Sequence, residues 1–442
     1  MEPDVLLIVC DSLRKDIMQI YGGEARTPNL IKLAEDSVVY DNAIAPSPWT
    51  FPSHVSMFTG MYLNEHGVHE TEKDKLLDLT KFNINLQKER LPERLSKMGY
   101  NTFGISNNPM VSPQTAFDIG FDFFFTLDPF PVSKEDKTFQ EARRLGASPR
   151  EIAIKLIKQG KFGKIREFAR LRKREKLIST ALNFPMDKGA DLTNKILANG
   201  NWESKFFRFV NFLEVHEPYR NYNSKEVWDN VTGIKKMSQA GINNVRSEYI
   251  AEMEYLDEQI GRLVSTLKRA GKYDNTMIII TSDHGQAINE HGYMLHSTYL
   301  YDELSRIPMI IKYPNGKKFE KKKGYQNLVY LPKFIEDIVQ GGDDTRLYSE
   351  TTFAEAYGAV IVLPGGYKHR EEYVKNTYEK LRKAVYKDGF KMTVNGTDGT
   401  IEEFMKDDKN IKVEDNKQKA KELLSEIDIF KGKENFKVPE IN

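Results

Sequence analysis

Short runs of apolar residues recur along the chain, and longer stretches with a helical period separate them. The apolar runs are Val5 to Cys10, Tyr100 to Ser106, Phe206 to Glu214, Thr276 to Ile280 and Ile307 to Ile311. The main helical stretches are Thr27 to Asp36, Leu91 to Met98 and Asn244 to Ala270. Runs without polar alternation are typical of strands that are buried on both faces. The pattern therefore predicts an α/β fold, with a mostly parallel central sheet and helices on both of its faces.

The pattern changes beyond about residue 345. Lys383 to Thr393 has the pattern of two short strands, and the dipeptides Asn395-Gly396 and Asp398-Gly399 are typical of hairpin turns. Asn416 to Lys431 has the period of a helix. We therefore predict a large domain over residues 1–345 and a smaller C-terminal α+β subdomain over residues 346–442.

Residues 133–197 differ from their surroundings in composition. Within this segment, residues 150–176 carry eleven Lys and Arg against three Glu, at helical spacing with apolar positions. We predict a helical insertion with a basic face. Such a face has two interpretations, either solvated surface charge or peripheral contact with an anionic surface such as membrane head groups.

Composition and charge limit the classes of function. Hydrophobic residues make up 40% of the 442 residues, which is enough for a large core. The formal net charge of +1 disfavours a protein dedicated to binding nucleic acid. Cys10 is the single cysteine, the N-terminus lacks a basic region, and no apolar run reaches the roughly 18 residues of a membrane span. These features favour a cytoplasmic protein without a signal peptide or transmembrane segment.

The stretch Ser47 to Gly60, SPWTFPSHVSMFTG, is predicted to be a loop that turns into a helix. Pro52 suits the first helical turn, and Gly60 suits the residue after the last one. Thr50 then lies at or near the N-cap, where backbone N–H groups and the helix dipole favour an anion. Thr50 has two interpretations, either a structural cap or a hydroxyl nucleophile that faces a phosphate or sulfate.

Residues of metal-ligand type follow several of the apolar runs. Asp11 follows the first run, His216 the third and Asp283-His284 the fourth, with His296 a little further on. Because the carboxyl ends of parallel strands share one edge of a sheet, we expect these side chains to lie together. Asp and His together suit Mn²⁺ or Zn²⁺, which we expect here, whereas an all-oxygen set would suit Ca²⁺ or Mg²⁺.

A divalent metal ion beside Thr50 would make its hydroxyl a better nucleophile. A Thr hydroxyl is a poor nucleophile at neutral pH, and coordination to a cation favours its ionised form. The same cation would polarise a phosphoryl or sulfuryl oxygen. His216 and His296 are candidates to protonate the leaving group.

The chain resembles the sulfatase family of the alkaline phosphatase superfamily, over nearly its whole length. The similarity is carried by VLLIVCDSLRKD (residues 5–16), TPNL (27–30), SPWTFPSHVSMFTGMY (47–62), VHEPY (215–219), YLDEQIGRL (255–263), TSDHGQAINEHGYMLHST (281–298), RIPMII (306–311) and AVYKDGFKMTVN (384–395). The resemblance implies that residues 1–345 form a sulfatase-like catalytic domain.

The resemblance also implies a role for each matching residue. The positions that match metal ligands are Asp11, Thr50, Asp283 and His284. Thr50 matches the nucleophile as well. His216 matches a histidine that binds the transferred group. His296 matches a position, usually Lys, that holds the substrate anion and assists the leaving group.

Four positions depart from the family's pattern or leave alternatives open. Typical sulfatases oxidise a Cys or Ser nucleophile to formylglycine, and Thr50 cannot yield that aldehyde. Ser12 replaces the second of a usual pair of Asp residues, so the metal shell has lost a carboxylate. His54 stands where the family has Arg, and it is expected either to bind substrate in its place or to face outward. Arg14 is expected either to line the pocket or to form a surface salt bridge.

These departures resemble the phosphoryl-transferring relatives of the family. We therefore expect a metal-dependent hydrolase that favours phosphate mono- or diesters over sulfate esters, acting on a small molecule or a glycan- or lipid-derived ester. The alternatives are a sulfatase that works without formylglycine and a phospho-group transferase. A non-catalytic protein that binds an anionic glycan or a membrane surface is a further alternative.

Overall fold

The computed structural model describes residues 2–69, 88–127, 154, 157, 158 and 185–441. Residues 204, 222, 360, 362, 433 and 434 are left out of the last range. Most of the predicted insertion at 133–197 lies outside the described residues, including all but three positions of its basic segment 150–176. The predicted contact of that segment with an anionic surface therefore stays a prediction.

A seven-stranded sheet forms the centre of the described fold. The strands of this part are β1 (Asp4–Cys10), β2 (Val38–Tyr40), β3 (Ala43–Ile44), β4 (Asn101–Ser106), β5 (Phe123–Thr126), β6 (Phe206–Phe212), β7 (Thr276–Thr281), β8 (Ala287–Ile288), β9 (Met294–Leu295), β10 (Met309–Lys312) and β11 (Gln326–Asn327). The sheet has the order β2-β10-β7-β1-β6-β4-β5. The strands from β7 to β5 in that order are parallel, and β10 is antiparallel to both β7 and β2. The prediction of a mostly parallel central sheet is confirmed.

Helices cover both faces of this sheet, as predicted. They are α1 (Pro28–Ala34), α2 (Thr50–Thr59), α3 (Leu63–His66), α4 (Leu91–Lys97), α5 (Ala190–Ala198), α6 (Ser224–Val231), α7 (Gln239–Arg269), α8 (Asp302–Ser305) and α9 (Leu331–Val339). Because successive side chains of a strand point to opposite faces, Leu6 and Ile8 of β1 share one core with Met253 of α7. Leu7 lies in the other core with Phe58 of α2. None of the described helices combines the length and apolar content needed to span a membrane.

A second sheet follows in the C-terminal part of the chain. Its strands are β12 (Thr351–Tyr357), β13 (Leu381–Lys387), β14 (Phe390–Asn395), β15 (Thr400–Lys406) and β16 (Lys409–Asn410), and they pair antiparallel in chain order. Two helices accompany them, α10 (Glu371–Tyr378) and α11 (Lys417–Phe430). Leu423 and Ile427 of α11 pack against Val385 and Met392 of the sheet. The predicted hairpins and terminal helix are present, while the division at residue 345 stays a prediction.

The second sheet contacts the loops at the carboxyl edge of the first one. The Glu355 N–H of β12 donates to the Pro46 carbonyl at 2.9 Å, just before the Thr50 helix. Arg382 of β13 donates from Nη1 to Thr298 Oγ1 at 3.0 Å. Between these contacts, the Ser297 N–H donates to the Pro48 carbonyl at 2.9 Å. The C-terminal part therefore helps to fix two of the loops that carry predicted site residues.

Candidate active site

The ends of β1 and β7 bring two predicted metal ligands together. These strands are parallel neighbours, so their following loops leave the sheet at the same edge. The Ser12 N–H donates to Asp283 Oδ1 at 3.1 Å, and the Leu13 N–H donates to Ser282 Oγ at 2.9 Å. These two hydrogen bonds join the loops, and Asp11 and Asp283 are both completely buried beside each other.

Thr50 is the first residue of α2, and Trp49 occupies the N-cap position. The predicted change from loop to helix is present, and Gly60 ends the helix in a left-handed conformation with φ of 68°. Thr50 Oγ1 lies 3.3 Å from Asp11 Oδ2 and 3.3 Å from His284 Nε2. The hydroxyl thus faces two predicted metal ligands, and the structure does not place it as the helix cap.

The donor atoms of Asp11, Asp283 and His284 lie within 4.8 Å of one another. Asp283 Oδ2 is buried without a hydrogen-bond partner among the described residues, and it lies 3.5 Å from His284 Nε2. His284 donates from Nδ1 to the Gly285 carbonyl at 2.7 Å, which leaves a lone pair on Nε2. An unpaired carboxylate oxygen and an unprotonated imidazole nitrogen, which lie beside the Thr50 hydroxyl, fit a divalent cation.

The electrostatics of the two carboxyl groups agree with this fit. Burial, followed by the charge of Asp11, raises the pKa of Asp283 well above its ordinary value. Burial opposes ionisation of Asp11 too, but His216, His284 and the amide of Asn108 outweigh it and lower the pKa of that carboxyl. Two adjacent buried carboxylates repel each other, and a cation between them would remove the repulsion.

Asn108 belongs to the site although its residue type did not single it out in the sequence. It follows β4, and its Nδ2 donates to Asp11 Oδ2 at 2.6 Å. The sequence feature that could have identified Asn108 is its position in the Asn107-Asn108-Pro109 loop, directly after a buried strand. Asp11 was predicted to lie at the site from the same kind of position.

His216 and His296 lie beside this group. The ring centres of His284 and His296 are 4.6 Å apart, and those of His216 and His296 are 5.2 Å apart. Gln286 Oε1 accepts from His296 Nδ1 at 2.7 Å, while Gln286 Nε2 donates to Glu217 Oε2 at 2.9 Å. The structure thus brings both predicted histidines to the site and adds Gln286 and Glu217 as partners that sequence reasoning missed.

His54 does not face outward, which is one of the two alternatives that the sequence left open. It is completely buried beneath Thr50, where it neither faces outward nor lines an open pocket. His54 Nδ1 donates to the Thr50 carbonyl at 2.9 Å, and Asn211 Nδ2 donates to His54 Nε2 at 2.9 Å. Burial lowers the pKa of His54 to about 4, so the imidazole is neutral. Its geometry is that of a support for the start of α2, and the expectation that His54 binds substrate stays a prediction.

Arg14 forms salt bridges, in agreement with one of the two expectations, although its own side chain is buried and only 2% exposed. It donates from Nη2 to Asp16 Oδ2 at 2.6 Å, forms an ion pair with Glu290, and donates from Nη1 to the Gln286 carbonyl at 3.1 Å. With its charge balanced by two carboxylates, Arg14 holds the loop of Gln286 in place and is not available as a substrate anion's counter-charge.

A buried lysine supports the loop that carries His216. Lys188 Nζ donates to the Glu214 carbonyl at 2.6 Å and to Glu252 Oε2 at 2.7 Å. All three side chains are completely buried. Burial raises the pKa of Glu252 to about 8, although the charge of Lys188 opposes the shift.

Replacing Glu252 by Gln should weaken the pH dependence of stability. The pKa of Glu252 is raised from 4.5 to about 8 on folding, so between these values the folded state binds more protons than the unfolded state. The free energy of unfolding therefore falls as pH rises through this range. Urea unfolding measures the free energy of unfolding at pH 5 and at pH 8. From pH 5 to pH 8 this free energy should fall further in wild type than in Glu252→Gln, by on the order of 2–4 kcal/mol. Glu258→Gln, at an exposed position of the same helix, should follow wild type, and equal falls in all three proteins would refute the assignment.

The chain is similar in sequence to several known proteins. The family model described as Sulfatase matches residues 3–340. An N-acetylglucosamine-6-O-sulfatase of Bacteroides thetaiotaomicron is 22% identical over 393 residues, which cover 76% of this chain and 67% of that protein. A sulfatase of Formosa agariphila is 24% identical over 471 residues, with coverage of 98% and 84%.

The fold itself matches a solved structure of the same kind. The phosphonate monoester hydrolase of Agrobacterium radiobacter aligns with a TM-score of 0.63 at 16% identity, covering 97% of this chain and 94% of that one. The family model spans well over half of the chain and includes all the predicted site residues. The chain therefore belongs to the sulfatase family, and it is a hydrolase that acts on ester bonds.

Proposed function

We propose that this hydrolase cleaves phosphate esters in preference to sulfate esters, with Thr50 as its covalent nucleophile. The observation that carries the proposal is the position of Thr50 Oγ1, 3.3 Å from both Asp11 Oδ2 and His284 Nε2 at the start of a helix. Cation-binding groups on one side and a helix N-terminus on the other suit a hydroxyl that attacks an anionic ester. A Thr cannot be converted to formylglycine, which favours direct attack by the hydroxyl.

Asp11, Thr50, Asp283 and His284 would hold a divalent cation, and their mixture of oxygen and imidazole donors favours Mn²⁺ or Zn²⁺. The unpaired Asp283 Oδ2 and the unprotonated His284 Nε2, which faces the Thr50 hydroxyl, support this assignment. When bound, such an ion supplies positive charge that favours the ionised Thr50 hydroxyl and polarises the ester.

The reaction we propose is a double displacement. Thr50 Oγ1 loses its proton and bonds to phosphorus as the bond from phosphorus to the leaving oxygen breaks, and that oxygen gains a proton. Water then bonds to phosphorus, the bond to Oγ1 breaks, and Thr50 regains its proton. The start of α2 lies at this point, and the positive end of its helix dipole favours the negative charge of the ester's outer oxygens.

His216 and His296 stand next to the proposed nucleophile and cation ligands, through the ring contact of His296 with His284. We assign them to the transferred group and the leaving oxygen. Asn108 fixes the orientation of Asp11 through its hydrogen bond to Oδ2.

Sulfate ester hydrolysis is the second candidate function. The relative from Bacteroides thetaiotaomicron is by its name a 6-O-sulfatase of an amino sugar, whereas the structural neighbour from Agrobacterium radiobacter is a phosphonate monoester hydrolase. The two names point to different transferred groups. A small-molecule or glycan ester of phosphate or sulfate is accordingly the proposed substrate class.

A panel of aryl esters separates the two candidates. The aryl phosphate monoester, phosphodiester, phosphonate monoester and sulfate should be compared after metal removal and reconstitution with Mn²⁺ or Zn²⁺. We expect kcat/KM for the best phosphate ester to exceed that for the sulfate by at least about tenfold. Chelation should lower turnover by at least about 100-fold. A dominant rate on the sulfate would favour the second candidate, and full activity after complete metal removal would contradict the metal assignment.

A further inference from the structure

A polar cleft of about 890 Å³ lies between the central sheet and the C-terminal sheet. One wall is formed by residues 40–42 at the end of β2 and by residues 321–326. The other wall is formed by two turns of the C-terminal sheet, Asp388-Gly389 and Asp407-Asp408. Ligand pockets often lie where two structural units meet, and this volume is in their usual range.

Contacts between the two walls fix the width of the cleft. Arg306 Nη2 lies 2.8 Å from Asp408 Oδ1 on the opposite wall. The Gly389 N–H donates to Tyr325 Oη at 3.0 Å. The two turns are also joined to each other, because the Asp407 N–H donates to the Gly389 carbonyl at 2.9 Å. The cleft is therefore a preformed feature of the fold.

A buried amide that lacks a partner points to a ligand in this cleft. Gln326 lines the cleft and is only 2% exposed, and its Oε1 has no hydrogen-bond partner among the described residues. The next residue of the same strand, Asn327, is buried as well, but hydrogen bonds satisfy both ends of its amide. Buried amides normally find their partners within the protein or in ordered water. A ligand in the cleft would supply the partner that Gln326 lacks.

Charged groups of both signs line the cleft, and most of them already have partners. Their ion pairs are Lys321 with Asp41, Lys322 with Asp344, Arg306 with Asp408 and Asp388 with Lys419. Lys323, Glu350 and Asp407 line the cleft without an ion pair to the described part of the chain. An anionic ligand would meet the two carboxylates, and a cationic ligand would meet the ammonium group. This balance favours an uncharged ligand.

The groups that remain available for hydrogen bonds fit hydroxyl groups. Gln326 Oε1 and the carboxylates of Glu350 and Asp407 accept hydrogen bonds, whereas Lys323 donates them. The Tyr325 hydroxyl accepts from Gly389 and keeps its own proton for another acceptor. A hydroxyl group both donates and accepts, so it can use both kinds of partner. Sugar rings carry several such groups at fixed spacing.

The cleft lies at the same edge of the central sheet as the candidate active site. β2 and β7 both run antiparallel to β10, so they run in the same direction, and Tyr40 ends β2 at that edge. Lys15, in the loop that follows Asp11, donates from Nζ to the Asp41 carbonyl at 2.6 Å. None of the residues that we assign to turnover lines the cleft, so it is a distinct site.

We propose that this cleft is a binding site for an uncharged, hydroxyl-rich ligand, which is the chemistry of the sugar units of a glycan. Gln326, Tyr325 and Glu350 would receive its hydroxyl groups. The inference goes beyond the proposed function, because it needs neither the Thr50 nucleophile nor a metal ion.

An array of neutral, uronic-acid and sulfated glycans, probed with the full chain, tests the proposal. Calorimetry then measures the affinity of each hit in excess inorganic phosphate, which competes for an anion site at Thr50. We expect binding to at least one neutral glycan. Gln326→Met and Glu350→Gln should each weaken it about 10-fold or more, with aryl ester turnover unchanged. Glu320→Gln, at an exposed position outside the cleft, should bind as wild type, and circular dichroism confirms folding of each variant.

The absence of binding to every neutral glycan would overturn the proposal, and so would binding restricted to charged glycans. Equal affinity in wild type, Gln326→Met and Glu350→Gln would place the ligand elsewhere and would also refute it. Failure of the proposed function is a separate result. Undiminished ester turnover by Thr50→Ala would refute the nucleophile and leave glycan binding in the cleft unaffected.

Discussion

Thr50→Ala should lower turnover of the best ester substrate by about 10³-fold or more, with the fold intact. The reason is that Oγ1 is the one atom of the residue that faces Asp11 and His284, and its loss removes the group that would bond to phosphorus. The residue is only 2% exposed at the start of α2, but its methyl and hydroxyl are small. The thermal midpoint should therefore change little, and kcat/KM on the aryl ester panel is the measurement.

Two matched variants separate a chemical role from a structural one. Thr50→Ser keeps the hydroxyl and should retain a measurable part of the activity. Thr59→Ala, at the other end of the same helix, removes a hydroxyl that donates to the Val55 carbonyl, and it should cost about 1 kcal/mol of stability and little activity. If Thr50→Ala turns over as fast as Thr59→Ala, Thr50 is not the nucleophile.

Asp283→Asn should abolish the rise of the thermal midpoint on addition of metal, and it should stabilise the metal-free protein. Asp283 is completely buried beside Asp11, and both burial and that neighbouring charge raise its pKa. An Asn side chain cannot ionise, so the variant avoids the cost of burying this carboxyl beside Asp11, and the metal-free variant should be more stable than metal-free wild type by about 2 kcal/mol. Addition of Mn²⁺ or Zn²⁺ should raise the thermal midpoint of wild type and leave that of the variant unchanged. Turnover should fall by at least about 100-fold.

Asp257→Asn is the control for this second prediction. Asp257 is also buried, and it accepts hydrogen bonds from the backbone N–H groups of Asn29 and Leu30 in α1, outside the donor cluster. Its variant should be destabilised and should keep the full thermal response to metal. A metal-free Asp283→Asn protein that is less stable than wild type, or one that still gains stability from metal, would contradict the assignment.

The central sheet could be predicted from the sequence because most of its strands are short runs of apolar residues. β1, β6 and β7 are apolar at nearly every position, and both faces of the sheet are covered. The meeting of Asp11 with Asp283-His284 followed from one rule, that neighbouring parallel strands end at the same edge. The direction of β10 was not predictable in this way, because a short apolar run has the same pattern in either orientation.

The supporting residues could not be predicted, because their roles depend on contacts between loops. Gln286 connects His296 to Glu217 only because the loops after β6 and β7 lie side by side. Asn108 reaches Asp11 across the sheet edge from the end of β4. An amide has no metal-ligand signature in a sequence, so neither residue stood out before the structure was seen.

His54 and Arg14 show that a residue type and its position in the sequence can leave a side chain's role open. A histidine four positions after the nucleophile is on the same face of the helix, so its imidazole returns to the Thr50 carbonyl beneath the site. Arg14 lies near the site in space, but Asp16 and Glu290 balance its charge. The sequence left two positions open for each residue, because the neighbours that decide between them come from elsewhere in the chain.

Identification of the residue that carries the transferred group during turnover tests the central claim most directly. Wild-type protein is mixed with excess phosphate ester, quenched in acid during turnover, digested, and its peptides are analysed by mass spectrometry. We expect one phosphoryl group on Thr50 of the SPWTFPSHVSMFTG segment, absent in Thr50→Ala, and retention of configuration at phosphorus with a chiral substrate. The same group on another residue, or product formed with inversion from an unmodified Thr50, would contradict the account.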